Sequence, residues 1–121
     1  MSERLGGKRT VVTGGTSGIG RDAVLRFVNE GARVVFSGRS RDGADETLAA
    51  VAAAGGEAHY VAQDVTREGD WQTLKEAIDK RLGGLDVLVN NAGAFWVRFI
   101  QDTTLADFRS MWRVNVDGTF M

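Results

Sequence analysis

The stretch Thr10-Val11-Val12-Thr13-Gly14-Gly15-Thr16-Ser17-Gly18-Ile19-Gly20 decides the fold. A short apolar run enters a glycine-rich turn, and beyond it Ile19, Ala23, Phe27 and Val28 recur at helical spacing until Gly31 stops the pattern. This reads strand, loop, helix. Glycines permit a tight turn and let backbone approach a ligand closely. The free N–H groups and dipole of a helix N-terminus bind anions without a basic side chain. Phosphate is the natural guest, with Thr16 and Ser17 adding hydroxyl donors. The spacing is not G-x-G-x-x-G, and the plainer reading is a β-to-α turn and nothing more.

The same alternation continues outward. Arg33-Val34-Val35-Phe36-Ser37 reads as a second strand, and an Ala-rich helix from about Gly43 to Ala54 ends at Gly55-Gly56. Ala58-His59-Tyr60-Val61-Ala62 is the third strand; Trp71, Leu74, Ile78 and Leu82 then mark a third amphipathic helix, closed by Gly83-Gly84. The fourth strand is Leu85 to Asn90, and a last helix starts near Thr103-Thr104, with Leu105, Phe108, Trp112 and Val116 on one stripe. Alternating β and α with right-handed crossovers predicts an α/β fold, a Rossmann-type doubly wound parallel sheet. One domain over residues 1–121 is expected, cut after the fourth strand and into the following helix, because the apolar pattern is still running at Val116-Asp117-Gly118-Thr119-Phe120-Met121. Such a cut exposes sheet edge and apolar helix surface.

Composition narrows the function. The 121 residues carry 15 Lys+Arg against 16 Asp+Glu, a net charge of −1 that argues against a nucleic-acid partner. Cysteine is absent and histidine occurs once, which removes zinc-thiolate and His-rich metal sites, and no metal is expected. No apolar run approaches the roughly 20 residues that span a bilayer and no signal peptide opens the chain, so no membrane partner and a cytoplasmic location are expected. The 16 glycines, about 13% of the chain against an average near 7%, call for a reason, and the turns above supply one. Residues 1–41 carry eight basic and three acidic groups, residues 42–121 seven and thirteen, so an anion is drawn to the N-terminal part.

In dinucleotide-binding folds an acidic residue about 20 positions beyond the glycines holds the ribose 2′-OH, whereas an arginine accommodates a 2′-phosphate. That place reads Ser37-Gly38-Arg39-Ser40. With no carboxylate to repel the phosphate, Arg39 favours NADP(H), NAD(H) remaining usable. The competing reading makes Arg39 and Arg41 a solvated charge cluster.

Four motifs in order, Thr13-Gly14-x-x-x-Gly18-Ile19-Gly20, Asp64-Val65, Asn90-Asn91-Ala92-Gly93 and Asn115, resemble those of the short-chain dehydrogenase/reductase family from about residue 8 onward. The resemblance implies a hydride-transferring oxidoreductase acting on a small-molecule alcohol or ketone, assembled as a homo-oligomer, tetramer or dimer. It implies that Gly14, Ser17, Gly18, Ile19 and Gly20 cradle a pyrophosphate and that Arg39 meets the adenosine phosphate. Asp64 and Val65 would border the adenine, and Asn91, Ala92 and Gly93 would form the fourth strand's end beside the cofactor. Asp64 also reads as a loop cap and Asn90-Asn91 as an Asx turn. Asn115, seven residues after Phe108, is expected on the buried side of its helix near Trp112. There it is either a core amide satisfied by neighbouring backbone or, as the resemblance implies, the catalytic holder of a water in a proton relay.

The family's tyrosine, the lysine four residues after it and the serine are missing. Tyr60, the one tyrosine, is followed by Val61, Ala62, Gln63 and Asp64. These 121 residues alone are therefore expected to be inactive, the cofactor-binding portion of an enzyme; the alternative is a non-catalytic dinucleotide-binding module or redox sensor. His59 reads as packed or surface-exposed. Phe95, Trp96, Phe99 and Ile100 line a pocket or pack in the core, and Trp71 and Trp112 read as core.

Overall fold

The computed structural model describes residues 3–121. Strand β1 (Arg9–Thr13), helix α1 (Gly18–Asn29), strand β2 (Arg33–Gly38), helix α2 (Arg41–Ala53) and strand β3 (Ala58–Ala62) follow in order. Helix α3 (Glu68–Arg81), strand β4 (Val87–Val89) and helix α4 (Leu105–Trp112) complete it; α4 runs on through a π-helical stretch, Arg113–Asp117, into a last helical turn. All strand pairs are parallel and the order is β3-β2-β1-β4, with Thr10 opposite both Val34 and Val87.

Parallel strands are covered on both faces, so their side chains are apolar whichever way they point. Val12, Val34, Phe36 and Ala58 face Val24 and Val28 of α1 and Ala44 and Val51 of α2. Val11 and Val35 face the other way, onto Leu74 and Ile78 of α3 and the following Leu82. Two core layers separated by one sheet make this the open, doubly wound Rossmann-type architecture.

The structure corrects the sequence reading at several points. Ile19 is 82% exposed; the buried face of α1 is carried by Gly20, Val24 and Val28 instead. Strand β4 is three residues, Val87–Val89, rather than six; beyond it Asn91 N–H turns to Thr13 Oγ1 at 3.1 Å. Thr104 caps α4 as expected, in a reciprocal capping box with Asp107. The stripe Leu105, Phe108, Trp112 and Val116 is exposed, Trp112 at 51%, and Asn115 is exposed with it. Periodicity defines a helix face but not what covers it. Trp71 packs at the margin of the α3 core and donates its Nε1–H to Val65 O at 2.9 Å.

An ion pair fastens the edge strand. Asp86, at the entrance to β4, accepts from Arg9 N–H at 2.9 Å, Arg9 Nε–H at 3.0 Å and Arg9 Nη2–H at 2.9 Å. These bonds hold the Asp86 carboxyl far below the usual carboxylate range, the side-chain contribution first. Because the folded-state value lies below the unfolded one, the stabilisation is complete above about pH 4 and is lost as pH falls from there toward the folded value. Urea midpoints should therefore show no Asp86-linked change between pH 7 and 5 and a decline below about pH 4. Asp86→Asn should lower the neutral plateau and flatten that decline; an unchanged acid limb would refute the assignment.

Candidate functional site

The carboxyl ends of β1, β2, β3 and β4 open on one cavity of about 710 Å³, beside the point where the strand order switches direction between β1 and β4. This is the place where open α/β sheets hold ligands. Gly14, Thr16, Ser17, Gly18, Ile19 and Gly20 form one wall, Arg39, Asp64 and Val65 the second, and Asn91, Ala92, Gly93 and Asn115 the third. The residues the sequence offered as cofactor contacts, and Asn115 with them, thus border one space.

The glycine wall is built by close approach. Gly14 has φ +72°, and a Cβ there would sit 2.9 Å from Ala92 Cα. Gly18 has φ +53° but faces open space, so backbone is presented there without a side chain. Ser17 occupies the N-cap of α1 and makes no side-chain cap bond, whereas Ser40 caps α2 and Thr104 caps α4. The first N–H groups of α1 have no intrahelical acceptor and lie against the cavity. Thr16 is 8% exposed, its side chain against Gly38, and still borders the cavity; Ser17 is exposed.

On the second wall Asp64 Oδ1 accepts from Thr66 N–H at 2.9 Å and Thr66 Oγ1–H at 2.6 Å, the loop-cap arrangement. These bonds lower its pKa, with the charges of Arg39 and Arg67 acting the same way, so Asp64 stays ionised. Arg39 is exposed beside it and makes no ion pair among the described residues. The Tyr60 hydroxyl donates to Gly38 O at 2.8 Å, pinning the β2–α2 turn that carries Arg39.

Asn91 fastens the third wall, its Nδ2–H donating to Thr13 O at 3.1 Å and Gly14 O at 3.2 Å. Asn115 lies in the π-helical stretch, a kind of helix defect frequent at functional sites. Its Oδ1 accepts from Ala94 N–H at 2.8 Å and its Nδ2–H donates to Ala94 O at 2.9 Å, which satisfies the amide by backbone. Phe95 borders the main cavity, and Trp96 lines an adjoining hollow of about 330 Å³ with Phe108, Met111 and Trp112. Phe95, Phe99 and Ile100 are exposed, so the core reading fails for them.

Three contributors escaped the sequence reading. Val114 joins the cavity from the π-helical stretch. Gln63, 3% exposed, borders it, receives the Ser37 hydroxyl on Oε1 at 2.6 Å and leaves Nε2 without a partner among the described residues. Arg21 reaches back from α1 to Thr16 O at 2.5 Å. The first two stand next to Asn115 and Asp64 and are marked only by that neighbourhood, and no pattern in the chain marks the third.

The sequence model of the family described as short chain dehydrogenase matches residues 8–121. The chain is 38% identical to an NADP-dependent (R)-specific alcohol dehydrogenase of Lentilactobacillus kefiri over 99% of its own length and 47% of that protein. A 3-beta-hydroxysteroid dehydrogenase of Comamonas testosteroni is 39% identical, over 100% of this chain and 46% of the relative. Among solved structures, a short-chain dehydrogenase/reductase from Mycobacterium marinum superposes with a TM-score of 0.91 at 33% identity, covering 96% of this chain and 47% of that one. A short chain dehydrogenase from Burkholderia cenocepacia, solved in complex with NADP, gives 0.87 at 35% identity, over 97% and 48%. The chain spans about half the length of the curated relatives it matches. With the family model matched over residues 8–121 and relatives of 38–39% identity along nearly all of its length, the chain belongs to the short-chain dehydrogenase family.

Proposed function

We propose that this chain is the cofactor-holding part of an oxidoreductase that passes hydride between NADP(H) and a small alcohol or carbonyl compound. The observation that carries the reading is the cavity itself, with a helix N-terminus lacking a side-chain cap bond on one wall and, on another, an arginine that makes no ion pair among the described residues. The L. kefiri relative's NADP dependence and the NADP complex of the B. cenocepacia structure support the choice of cofactor.

The residues fit such a group. The open backbone at Gly18 and the first N–H groups of α1 suit a pyrophosphate. Arg39 suits a 2′-phosphate, and the ionised Asp64 suits an adenine amino group. NAD(H) would use the same cradle without the Arg39 bond. The nicotinamide of the bound cofactor supplies the hydride. Asn115 keeps one lone pair and one N–H beyond its bonds to Ala94, room for a water at the cavity edge. The 121 residues hold no Tyr-x-x-x-Lys, and alone they are expected to move no hydride.

Arg39→Leu in the natural polypeptide carrying this chain should weaken NADPH binding by roughly ten- to a hundredfold and leave NADH nearly unchanged, the difference of one charge-assisted hydrogen bond. Fluorescence titration of the two cofactors measures this directly. Equal affinity of the unmodified protein for both would overturn the NADP(H) assignment, and failure to bind either would overturn the function.

A further inference from the structure

The glycine-rich loop is held from behind. Gly15 and Thr16 are both buried, so their carbonyls need partners within the protein. Helix α2 and Arg21 supply them. The hydroxyl of Thr47, 0% exposed, donates to Gly15 O at 2.8 Å and accepts Arg21 Nε–H at 2.9 Å. Arg21 Nη2 donates to Thr16 O, to Gly43 O at 3.2 Å and to Glu46 Oε2 at 3.0 Å. One guanidinium therefore joins the loop after β1 to the first turns of α2.

The packing leaves no slack around this clamp. A Cβ on Gly38 would lie 2.5 Å from Thr16 Cγ2, and one on Gly43 would lie 2.6 Å from Thr16 O. The turn between them, which carries Arg39, is thus seated on Thr16. A trans peptide points its C=O and N–H in opposite directions. Holding Gly15 O and Thr16 O against α2 and Arg21 therefore aims the N–H groups of Thr16 and Ser17 the other way, and both residues border the cavity.

From this we infer that Arg21, with Thr47 as its relay, is a positioning residue that makes the phosphate-facing loop and the Arg39 turn one rigid unit, and so sets discrimination between NADPH and NADH. Arg21 itself touches no cofactor in this scheme. Its action runs through the preorganised backbone on one side and through Arg39 on the other. The inference rests on the cofactor reading given above, and the test is arranged so that the two fail separately.

The experiment titrates NADPH and NADH against the natural polypeptide, Arg21→Ala, Thr47→Val and Thr47→Ser, with thermal melts to establish folding. Arg21→Ala should weaken NADPH about a hundredfold and NADH about tenfold, so that the preference falls about tenfold. Thr47→Val should shift the preference the same way by a smaller factor, and Thr47→Ser, which keeps the hydroxyl, should restore it. Since Thr47 carries no charge, this pair separates the clamp from the loss of a cation near a phosphate, and it carries the comparison if Arg21→Ala does not fold. Parallel losses for both cofactors, with the preference intact in folded variants, would mean a purely structural role and overturn the inference alone. An unmodified protein that binds NADPH and NADH equally would overturn the cofactor reading and the inference together.

Discussion

Gly20→Ala is expected to unfold the chain or leave it with no cofactor affinity. A methyl group at this position overlaps the carbonyl oxygen of Gly14, and it would lie 2.7 Å from Gly14 C and 2.5 Å from Asn91 Nδ2. Two of these three neighbours are backbone, which no rotamer change can move. Relief requires α1 to back away from the β1–α1 turn, or Asn91 to give up its bonds to Thr13 O and Gly14 O. Either movement opens the cradle, and the cost falls in the exceptional range for a point substitution, above about 4 kcal/mol. Gly69→Ala is the control: it sits in α3 with nothing near the added methyl, and replacing a helical glycine should stabilise by about 0.5–1 kcal/mol. Urea denaturation of both variants, read by tryptophan fluorescence, checks the contrast. A Gly20→Ala protein as stable as the parent would show that α1 can shift freely at this point.

Phe36→Ala should cost about 3–5 kcal/mol, because the ring is wholly buried and its loss leaves a cavity between the sheet and the two helices above it. The effect reaches the site. A Cβ on Gly15 would sit 2.7 Å from Phe36 Cβ, so the side chain forms the floor on which the glycine-rich loop rests. Its ring also lies 5.5 Å from that of Tyr60, whose hydroxyl holds Gly38 O. Denaturation midpoints should fall sharply, and NADPH titration of whatever remains folded should show weakened binding. A loss below about 1 kcal/mol would mean that the neighbouring side chains close over the gap.

The strands were legible because each is a short apolar run bounded by glycine or a capping residue, and β3 matches the expected Ala58–Ala62 residue for residue. The cavity walls were legible for a related reason. A glycine needed at positive φ or at close approach, as at Gly14, has no substitute residue and so marks its own position. What sequence could not show is partnership across the fold. Arg21 and Thr47 lie 26 residues apart on two helices, and each alone resembles an ordinary surface residue of an amphipathic helix. Ile19 fits the helical stripe of α1 by spacing yet falls on the turn where the helix overhangs the cavity, so it is solvent that meets it. Helix α4 and its apolar stripe stand where the spacing puts them, but Trp112 and Asn115 are exposed rather than buried, since periodicity implies a face and says nothing of its occupant.

The placement of β4 also sets an order of events. Thr10 and Arg33, where β1 meets β2, are 23 residues apart, while Arg9 and Asp86, where β1 meets β4, are 77 apart. Closing the longer segment costs about 1 kcal/mol more in chain entropy, and three residues of ladder offer little to offset it. Local pairing of β1, β2 and β3 is therefore expected first, with β4 docking onto a sheet already formed. Since the Asn91–Gly93 wall hangs from β4, the ligand space closes only at that last step. Occupancy of the cradle is thus a signature of β4 in place, and any ligand it holds favours that docked state.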